Sequence, residues 1–377
     1  MNKWTMGLAA AGVVSLDSAA QADENSVLTA LSSTVISGSV EASYVGGFST
    51  NNNMHNNGGF EANGASLDIG SPLGGGDYSA SYNVGLLFGN RAGAFTGDAS
   101  DDHLLRNANI GMNLPFGNGV DLTLGLFDTT VGYEVEASAS NPNVMRSYGY
   151  LQEPRTHTGL LAATSLTDGL SVSFALINGF DSSNGDNEGH ADLGFVLGAD
   201  FTLPDSLGFL GGSTLYVGYV DGSDEGNEVT DPNGNPVINV DDNTLLYIGA
   251  SINTPIEGLA IGVAYDDREW ASTTESDSVA VYATYSLSDD ASISVRYDNG
   301  TYDPQGADED SFDNLALTLD YSIWENVTTR LELGWESGVG AIGGNGLALV
   351  RPTSSASDGA PAAGDSSYFA LNAFYSF

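Results

Sequence analysis

The chain has 377 residues, a formal net charge of −40 and no cysteine. A chain this acidic lacks the cationic face that neutralises phosphates, so nucleic acid is not expected as a partner. The absence of cysteine excludes disulfides and thiolate metal sites. Mean hydropathy is −0.08, and no segment approaches the ~20 apolar residues that a transmembrane helix needs.

The composition favours an all-β chain, because glycine is frequent, with 49 residues, and Lys and Arg together number only 9. The acidity has two interpretations. It would favour cations over anions if the chain forms a pore, or it would keep a solvated surface soluble in a salty habitat. Both interpretations stay open at this point.

Residues 1–22 have the organisation of a secretory signal peptide. Lys3 supplies the positive start, residues 6–16 are apolar or small, and Ala20-Gln21-Ala22 forms an A-x-A cleavage site. Asp17 is unusual directly after the apolar stretch. We expect residues 23–33 to form a short N-terminal segment and residues 34–377 to form one β domain.

Short segments of this domain alternate between apolar and polar residues with the period of two that is typical of strands. Residues 78–88 are the clearest case, because Tyr78, Tyr82 and Phe88 alternate with polar or small residues such as Asn83. The same alternation recurs in residues 36–48, 108–114, 120–126, 170–176, 193–203, 246–252, 259–265, 279–287, 291–297, 315–321 and 327–335.

The last strand has its apolar face on one parity and ends on an aromatic residue. Phe369, Leu371, Ala373, Tyr375 and Phe377 alternate with more polar positions. An exposed aromatic ending is unexpected in a soluble sandwich but suits a barrel strand in a bilayer, where rings lie in the interfacial girdle. This ending resembles the terminal strand of bacterial outer-membrane barrels.

The connections between these segments alternate strictly between short and long. Barrels in the outer membrane have short periplasmic turns and long extracellular loops, so seven short turns and eight long loops predict sixteen strands. We therefore expect an all-β, transmembrane antiparallel barrel formed by residues 34–377, wide enough for an aqueous channel. The short set is 74–77, 115–119, 167–169, 204–212, 255–258, 288–290 and 325–326, and the long set is 49–58, 89–102, 128–156, 181–190, 221–243, 267–276, 299–312 and 337–364.

A stretch from Gly125 to Gly159 is similar to the signature region of the OmpL-like β-barrel porins. The resemblance implies a Gram-negative outer-membrane porin of open solute preference, with outer-membrane lipid as its surroundings and a homotrimer as its assembly. The residues that carry it are Gly125-Leu-Phe-Asp128, Gly132-Tyr-Glu134, Asn141-Pro-Asn143, Arg146-Ser-Tyr148, Pro154, His157-Thr-Gly159, Leu166-Thr-Asp-Gly-Leu170, Ile177-Asn-Gly179 and the opening strand from Ser37 to Tyr44.

The third long loop, 128–156, is the candidate pore constriction. In general porins of sixteen strands that loop folds into the lumen, and here it carries Glu134, Glu136, Arg146 and Arg155. Strand parity points four further charged residues into the lumen, namely Glu41, Arg296, Arg330 and Glu332.

The hypothesis for this constriction is that Glu134 and Glu136 face Arg296 and Arg330 across it and set a transverse field. The alternative is that Arg330 and Glu332 pair along the wall while the loop carboxylates are solvated. Arg106 shares parity with apolar neighbours, so we expect it to face outward unless a local bulge turns it.

A weak metal candidate lies in loop 221–243. Asp231, Asn233, Asn235 and Asp242 have the 1, 3, 5 and 12 offsets of a calcium loop. Pro236 stands where the turn glycine belongs and no Glu closes the site, so a solvated acidic loop is favoured. We expect no cofactor, with surface Ca²⁺ as the alternative.

No catalytic set is recognisable in the sequence. The four histidines are far apart in the sequence, and the spacing of a zinc hydrolase, a nucleophile elbow or a P-loop is absent. We therefore expect no enzyme but a diffusion channel for small hydrophilic solutes and ions, with a preference for cations. The alternatives are a substrate-specific channel, for example for sugars, with Tyr133, Tyr148 and Tyr150 lining its path, and a surface barrel without transport, such as an adhesin.

Overall fold

A computed structural model describes residues 34–47, 59–74, 77–96, 102–182, 193–222, 229–230, 236–238, 243–270, 274–304, 310–337 and 366–377. Within these residues, sixteen antiparallel strands close into a single barrel. Closure joins the first strand to the last, with Tyr44 opposite Leu371. The predicted all-β barrel and its strand number are confirmed.

Each barrel strand pairs with its neighbour in the chain, as expected for an up-and-down barrel. A two-stranded hairpin, β10–β11, lies outside the barrel sheet. The strands are β1 (Val35–Gly47), β2 (Gly59–Ser71), β3 (Ala80–Phe88), β4 (His103–Leu114), β5 (Val120–Asp128), β6 (Thr156–Thr167), β7 (Leu170–Ile177), β8 (Gly194–Thr202), β9 (Thr214–Gly222), β10 (Val229–Thr230), β11 (Pro236–Ile238), β12 (Asn243–Asn253), β13 (Leu259–Trp270), β14 (Thr274–Ser286), β15 (Ala291–Pro304), β16 (Asp310–Trp324), β17 (Val327–Ser337) and β18 (Ser366–Ser376).

The alternation along each strand separates an apolar outer face from a polar inner face. In β15 the Tyr297 side chain is 47% exposed, whereas its neighbours Arg296 and Asp298 are 0% exposed. The exposed apolar row faces lipid and the polar row faces the interior, which we call the lumen. This arrangement is the reverse of a soluble protein and agrees with the sequence pattern.

All seven predicted short turns fall between consecutive strands, but two predicted long loops are largely strand. β13 continues to Trp270 and β14 begins at Thr274, so most of 267–276 belongs to the barrel wall. The same holds for 299–312, where β15 ends at Pro304 and β16 begins at Asp310. Strand hydrogen bonds need no apolar side chain, so the ladder continues where the apolar pattern stops.

A β-bulge in β4 corrects the expected direction of Arg106. Gly85 pairs with Asn107 and Leu86 pairs with Leu105, which leaves Arg106 as the extra residue. A bulge of this kind redirects one side chain without breaking the strand. Arg106 therefore points into the lumen, and the bulge alternative was the right one.

Two short α-helices lie in the second and third long connections, at Asn90–Thr96 and Tyr148–Gln152. Short 3₁₀ helices lie at Ser138–Ser140, in the third long connection, and at Asp205–Leu210, between β8 and β9. No helix among the described residues is long and apolar enough to cross a membrane. The predicted signal peptide, 1–22, and the segment 23–33 lie outside the described residues and stay predictions.

Candidate channel and its inward-folded loop

Residues 129–155, which we call the lumen loop, connect β5 to β6 through the inside of the barrel. The Asn143 Nδ2 donates to the Thr318 Oγ1 on β16 at 2.7 Å. The amides of Val144 and Met145 donate to the two carboxylate oxygens of Glu332 on β17, at 2.6 and 3.1 Å. The loop is therefore fastened to strands that lie more than 150 residues further along the chain.

Glu332 is an anchor for this loop and not a partner of Arg330. Its side chain also accepts hydrogen bonds from the Thr318 and Tyr368 hydroxyls, at 2.7 and 2.9 Å. Arg330 instead contacts Asp320 at 2.5 Å and donates to the Ser138 carbonyl at 2.9 Å. Pairing of Arg330 and Glu332 along the wall, the alternative considered from the sequence, is wrong.

Glu134 and Arg296 touch each other inside the packed lumen. The Arg296 Nη1 lies 3.3 Å from the Glu134 Oε1, its Nε lies 2.7 Å from Asp298, and both ion pairs are 0% exposed. Arg296 also donates to the Met145 carbonyl. Glu134 and Arg296 thus meet as the constriction hypothesis paired them, but in direct contact and not across a gap, because the loop enters far enough to reach the wall.

The Glu134 carboxylate has a second set of partners within the loop itself. The backbone amide and the hydroxyl of Ser147 both donate to its Oε2, at 2.7 and 2.8 Å. The Ser147 hydroxyl in turn accepts from the Tyr150 amide at 3.2 Å and caps the helix Tyr148–Gln152. One glutamate thus joins the two arms of the lumen loop to the barrel wall.

Glu136 also departs from the predicted arrangement, since it meets arginines other than Arg330. Its Oε1 accepts from the Arg91 Nε at 3.0 Å, and its Oε2 lies 3.5 Å from the Arg106 Nη1. Burial raises the pKa of Glu136, but the nearby Arg91 and Arg106 guanidinium groups outweigh burial and lower it overall. Glu136 therefore stays ionised in the folded loop.

Arg106 lies at the centre of a group of carboxylates on the lumen wall. It contacts Asp68 at 2.8 Å, and Asp128 and Glu136 at 3.5 Å each. Asp68 comes from β2, Arg106 from β4 and Asp128 from the end of β5. We call Asp68, Arg106, Asp128 and Glu136 the Arg106 cluster.

Glu41 faces the lumen from β1, as parity predicted, and lies beside the seam where the barrel closes. Asn63 and Asn372 each donate to its Oε1, at 3.1 and 2.5 Å, and Ser138 of the lumen loop donates to its Oε2 at 2.9 Å. The Arg91 Nε lies 3.9 Å from the same carboxylate. Glu41 therefore ties the loop to both strands of the seam.

The other two predicted arginines of the loop flank Tyr150. The guanidinium carbons of Arg146 and Arg155 lie 5.1 and 4.2 Å from its ring centroid, a cation–π geometry. Arg146 also donates to the Glu136 carbonyl at 2.8 Å, and Arg155 donates to the Tyr150 carbonyl at 2.5 Å. Both arginines therefore make these contacts within the lumen loop and stabilise its conformation.

Two carboxyl groups meet where the lumen loop returns to the wall. Glu153, at the end of the loop, faces Asp266 on β13, so two buried carboxyl groups lie next to each other. Burial, with the nearby negative charges of Asp266 and Glu134, raises the pKa of Glu153 well above its usual value, although Arg155 lowers it somewhat. Beside them the Arg268 Nη1 donates to the Gln152 carbonyl at 2.5 Å.

Sequence reasoning did not select Asp68, Arg91, Asp128, Glu153 or Asp266. The inward parity of Asp68 on β2 could have indicated it, since its neighbours Leu67 and Ile69 are apolar. Arg91, Asp128 and Glu153 are in or next to connections, where no periodicity exists to assign a direction.

A cavity of ≈380 Å³ remains between the lumen loop and the wall formed by β1–β5, β8, β9 and β12. Its acidic lining residues outnumber its basic ones, and its remaining lining includes Tyr82, Val131, Tyr133, Tyr216 and Tyr247. Tyr150 also lines it, whereas Tyr148 does not and packs on Phe312 with ring centroids 4.0 Å apart. The acidic lining residues are Asp68, Asp128, Glu134, Glu136 and Glu153, and the basic lining residues are Arg106 and Arg155.

The weak calcium candidates Asp231, Asn233, Asn235 and Asp242 lie outside the described residues. Across the part of the chain that is described, no group of three or more His, Asp or Glu side chains is placed to hold a metal ion. Surface Ca²⁺ binding by that loop stays a prediction.

The model of the family described as "Putative beta-barrel porin-2, OmpL-like" matches residues 33–377. The chain belongs to this family. The match spans the whole barrel, from just before β1 to the last residue, so the resemblance inferred from residues 125–159 is confirmed. This porin accordingly lies in the bacterial outer membrane, with its apolar strand faces toward lipid. No curated protein sequence matches the chain.

Solved outer-membrane barrels share the fold of this porin at low sequence identity. Pseudomonas putida OprB is 11% identical with a TM-score of 0.62, covering 93% of this chain and 96% of that one. An anion-selective porin from Comamonas acidovorans is 13% identical with a TM-score of 0.61, covering 92% and 99%. OmpT of Vibrio cholerae, in a trimer form, is 14% identical with a TM-score of 0.57, covering 91% and 99%.

Proposed function

We propose that this porin is a passive diffusion channel for small hydrophilic solutes and ions, with a preference for cations and no chemical step. The observation that carries the proposal is the cavity beside the lumen loop, which Asp68, Asp128 and Glu136 line together with Arg106 and Arg155. Glu134 and Glu153 also line it, but Arg296 neutralises Glu134 and burial raises the pKa of Glu153, so neither is counted in this excess of acid. The width of a cavity of this volume is comparable with the Debye length of about 8 Å at physiological ionic strength. Salt therefore does not screen the lining charges fully.

The carboxylates favour cations because they make the electrostatic potential negative in the cavity that solutes would cross. Fold alone does not decide the sign of selectivity, since one barrel of similar shape is described as anion-selective. The lining of each barrel must therefore decide it, and here acids prevail.

Planar-bilayer recording tests the proposal directly. Under a KCl gradient, the reversal potential of the purified porin should have the sign of K⁺ preference. The double substitution Asp68→Asn with Asp128→Asn should reduce the K⁺ to Cl⁻ permeability ratio by about threefold or more. Asp168→Asn, in an exposed turn between β6 and β7, serves as the control. Chloride preference in the native porin would contradict the proposal.

A substrate-specific channel is the second candidate, and the tyrosines of the cavity favour it. Tyr133, Tyr150, Tyr216 and Tyr247 line the cavity, and aromatic rings can bind the apolar faces of sugars. Liposome swelling with sugars of graded size distinguishes the two candidates. A smooth size cutoff supports general diffusion, whereas saturation by one sugar supports a specific site. Absence of any conductance would instead support a surface barrel without transport.

A homotrimer is part of the same proposal. The trimer form of Vibrio cholerae OmpT supports it, since the two barrels share their fold. Chemical cross-linking of the porin in detergent should give a species of three chains, and a single-chain species at every cross-linker concentration would contradict the trimer.

A further inference from the structure

We propose that the cavity beside the lumen loop is a binding site for solutes that combine a cationic group with a flat apolar face, such as aromatic amines. This inference rests on the proposed channel function and names the class of solute that binds in the channel during passage. It follows from two walls of different chemistry that enclose the same space.

The first wall is aromatic and is built into the strands. Val131 and Tyr133 of the lumen loop and Tyr216 and Tyr247 of the barrel line the cavity. The Tyr133 ring stacks on the buried Tyr282 with centroids 4.3 Å apart and planes inclined by 19°. These side chains join the main apolar cluster of the lumen, so the wall is held rigidly.

Three inward-facing glycines make room for this wall. A Cβ at Gly262 would lie 2.0 Å from the Tyr133 hydroxyl, and one at Gly249 would lie 2.0 Å from the Tyr247 hydroxyl. A Cβ at Gly218 would lie 2.4 Å from Val131. Any larger residue there would displace the ring or the valine, so the backbone itself positions the aromatic wall.

The second wall is acidic and carries more carboxylates than its arginines neutralise. Arg106 contacts Asp68, Asp128 and Glu136, and Arg91 contacts Glu136 and lies 3.9 Å from Glu41. Four carboxylates therefore share two guanidinium groups. The Asp128 Oδ1 has no hydrogen-bond partner among the described residues, although Asp128 lines the cavity.

The two walls together select for two properties in one solute. A neutral ring gains only the apolar and stacking contact of the tyrosines, and a small inorganic cation gains only the attraction of the carboxylates. An aromatic amine gains both, and a cation beside a tyrosine face gains further from the ring quadrupole. The space suffices for one ring with water around it, since a cavity of about 150 Å³ already binds benzene.

Block of the K⁺ current in planar bilayers tests this inference, with phenethylammonium as the probe. Three matched compounds dissect it: 2-phenylethanol has the ring without the charge, butylammonium has the charge without the ring, and 3-phenylpropionate has the opposite charge. We expect phenethylammonium to block at a concentration about tenfold lower than each of these. Equal half-blocking concentrations for phenethylammonium and butylammonium, or for phenethylammonium and 2-phenylethanol, would overturn the inference.

Two variants locate the site. Asp128→Asn should raise the half-blocking concentration of phenethylammonium about fivefold and leave that of 2-phenylethanol unchanged, whereas Tyr216→Leu should raise both. Asp168→Asn should change neither. Folding of each variant is checked by gel electrophoresis, in which a folded barrel migrates differently before and after heating. If Asp128→Asn shows no such difference, Asp68→Asn replaces it.

Equilibrium binding separates this inference from the channel function. Isothermal titration of the detergent-solubilised porin with phenethylammonium should show saturable binding that Asp128→Asn weakens. An open K⁺ channel without such binding would leave the channel proposal standing and overturn the solute class. Binding in a porin without conductance would support the site and contradict the channel.

Discussion

The lumen has two sides that contain the same kinds of charged residue in different surroundings. On the packed side, the lumen loop lies against β15–β17, and Glu134, Arg296, Asp298 and Glu332 are fully or almost fully buried. On the open side, Asp68 and Asp128 keep 29% and 28% of their side-chain surface exposed around Arg106. Inward direction alone therefore does not make a charge part of a channel.

The difference between the two sides is the supply of partners. Glu134 and Glu332 each accept from backbone amides and hydroxyls in addition to any ion pair. A buried charge needs such partners because its desolvation costs several kcal/mol. On the open side Asp68 and Asp128 keep part of their side-chain surface exposed, so an excess of carboxylates costs less there. In the proposed channel these are the charges that act on passing ions.

Removal of one charge from the packed side should have the largest effect. Arg296→Met leaves Glu134 and Asp298 without their shared cation, which costs about 3–5 kcal/mol for a buried pair. The barrel should still form, because its strand hydrogen bonds are untouched, but the lumen loop should leave the wall. We expect single-channel conductance to rise about twofold or more, measured in KCl against Glu257→Gln as the control. Unchanged conductance would show that the loop is held without this arginine.

Glu332→Gln should have a smaller effect of the same kind. The glutamine side chain keeps the shape of glutamate and one acceptor oxygen. It loses the negative charge and the second acceptor oxygen, so it cannot accept from both the Val144 and the Met145 backbone amides. Charge-assisted hydrogen bonds of this type contribute about 1.5–3 kcal/mol. We expect frequent brief openings of higher conductance, recorded as excess current noise. A rise as large as that of Arg296→Met would contradict the order of the two anchors.

A matched loss of arginine on the open side sharpens the comparison. Arg106→Gln should destabilise the porin less than Arg296→Met does, because Asp68 and Asp128 keep 29% and 28% of their side-chain surface exposed, whereas the partners of Arg296 are fully buried. Its main effect should be a reversal potential shifted further toward K⁺ preference. Thermal unfolding in detergent and reversal potential measure the two effects on one sample. A loss of stability equal to that of Arg296→Met would mean that the two sides do not differ.

The carboxyl pair at the end of the loop should give the smallest effect and a dependence on pH. Because the folded loop raises the pKa of Glu153, docking of the loop is favoured while Glu153 is protonated. Docking weakens as pH rises from the ordinary Glu value of about 4.3 through the raised pKa of the folded loop. A loop that undocks more often gives more fluctuation of the single-channel current. The current noise of the native porin should therefore increase with pH, and that of Glu153→Gln should increase less.

The control for that titration is Glu257→Gln, which lies in an exposed turn between β12 and β13 and should keep the native pH profile. A native profile in Glu153→Gln would show that another group controls docking. The groups that face Glu153 are Asp266, Glu134 and Arg155, so Asp266→Asn is the second variant to titrate.

The sequence by itself determined the barrel and the direction of most wall residues. A period of two is a local property, and it placed Glu41, Arg296, Arg330 and Glu332 on the inner face without knowledge of any contact. The alternation of short and long connections determined the strand number in the same way. The family resemblance added the inward course of the third loop.

Only the tertiary structure decided which charges meet. The partners Glu134 and Arg296 are 162 residues apart, and the loop that joins them has no periodicity from which a path could be calculated. Arg106 turned inward because one extra residue in β4 shifts the parity, which a hydrophobic pattern does not record. The separation of a packed side from an open side likewise depends on how deeply the loop enters the barrel, and that depth is set by long-range contacts.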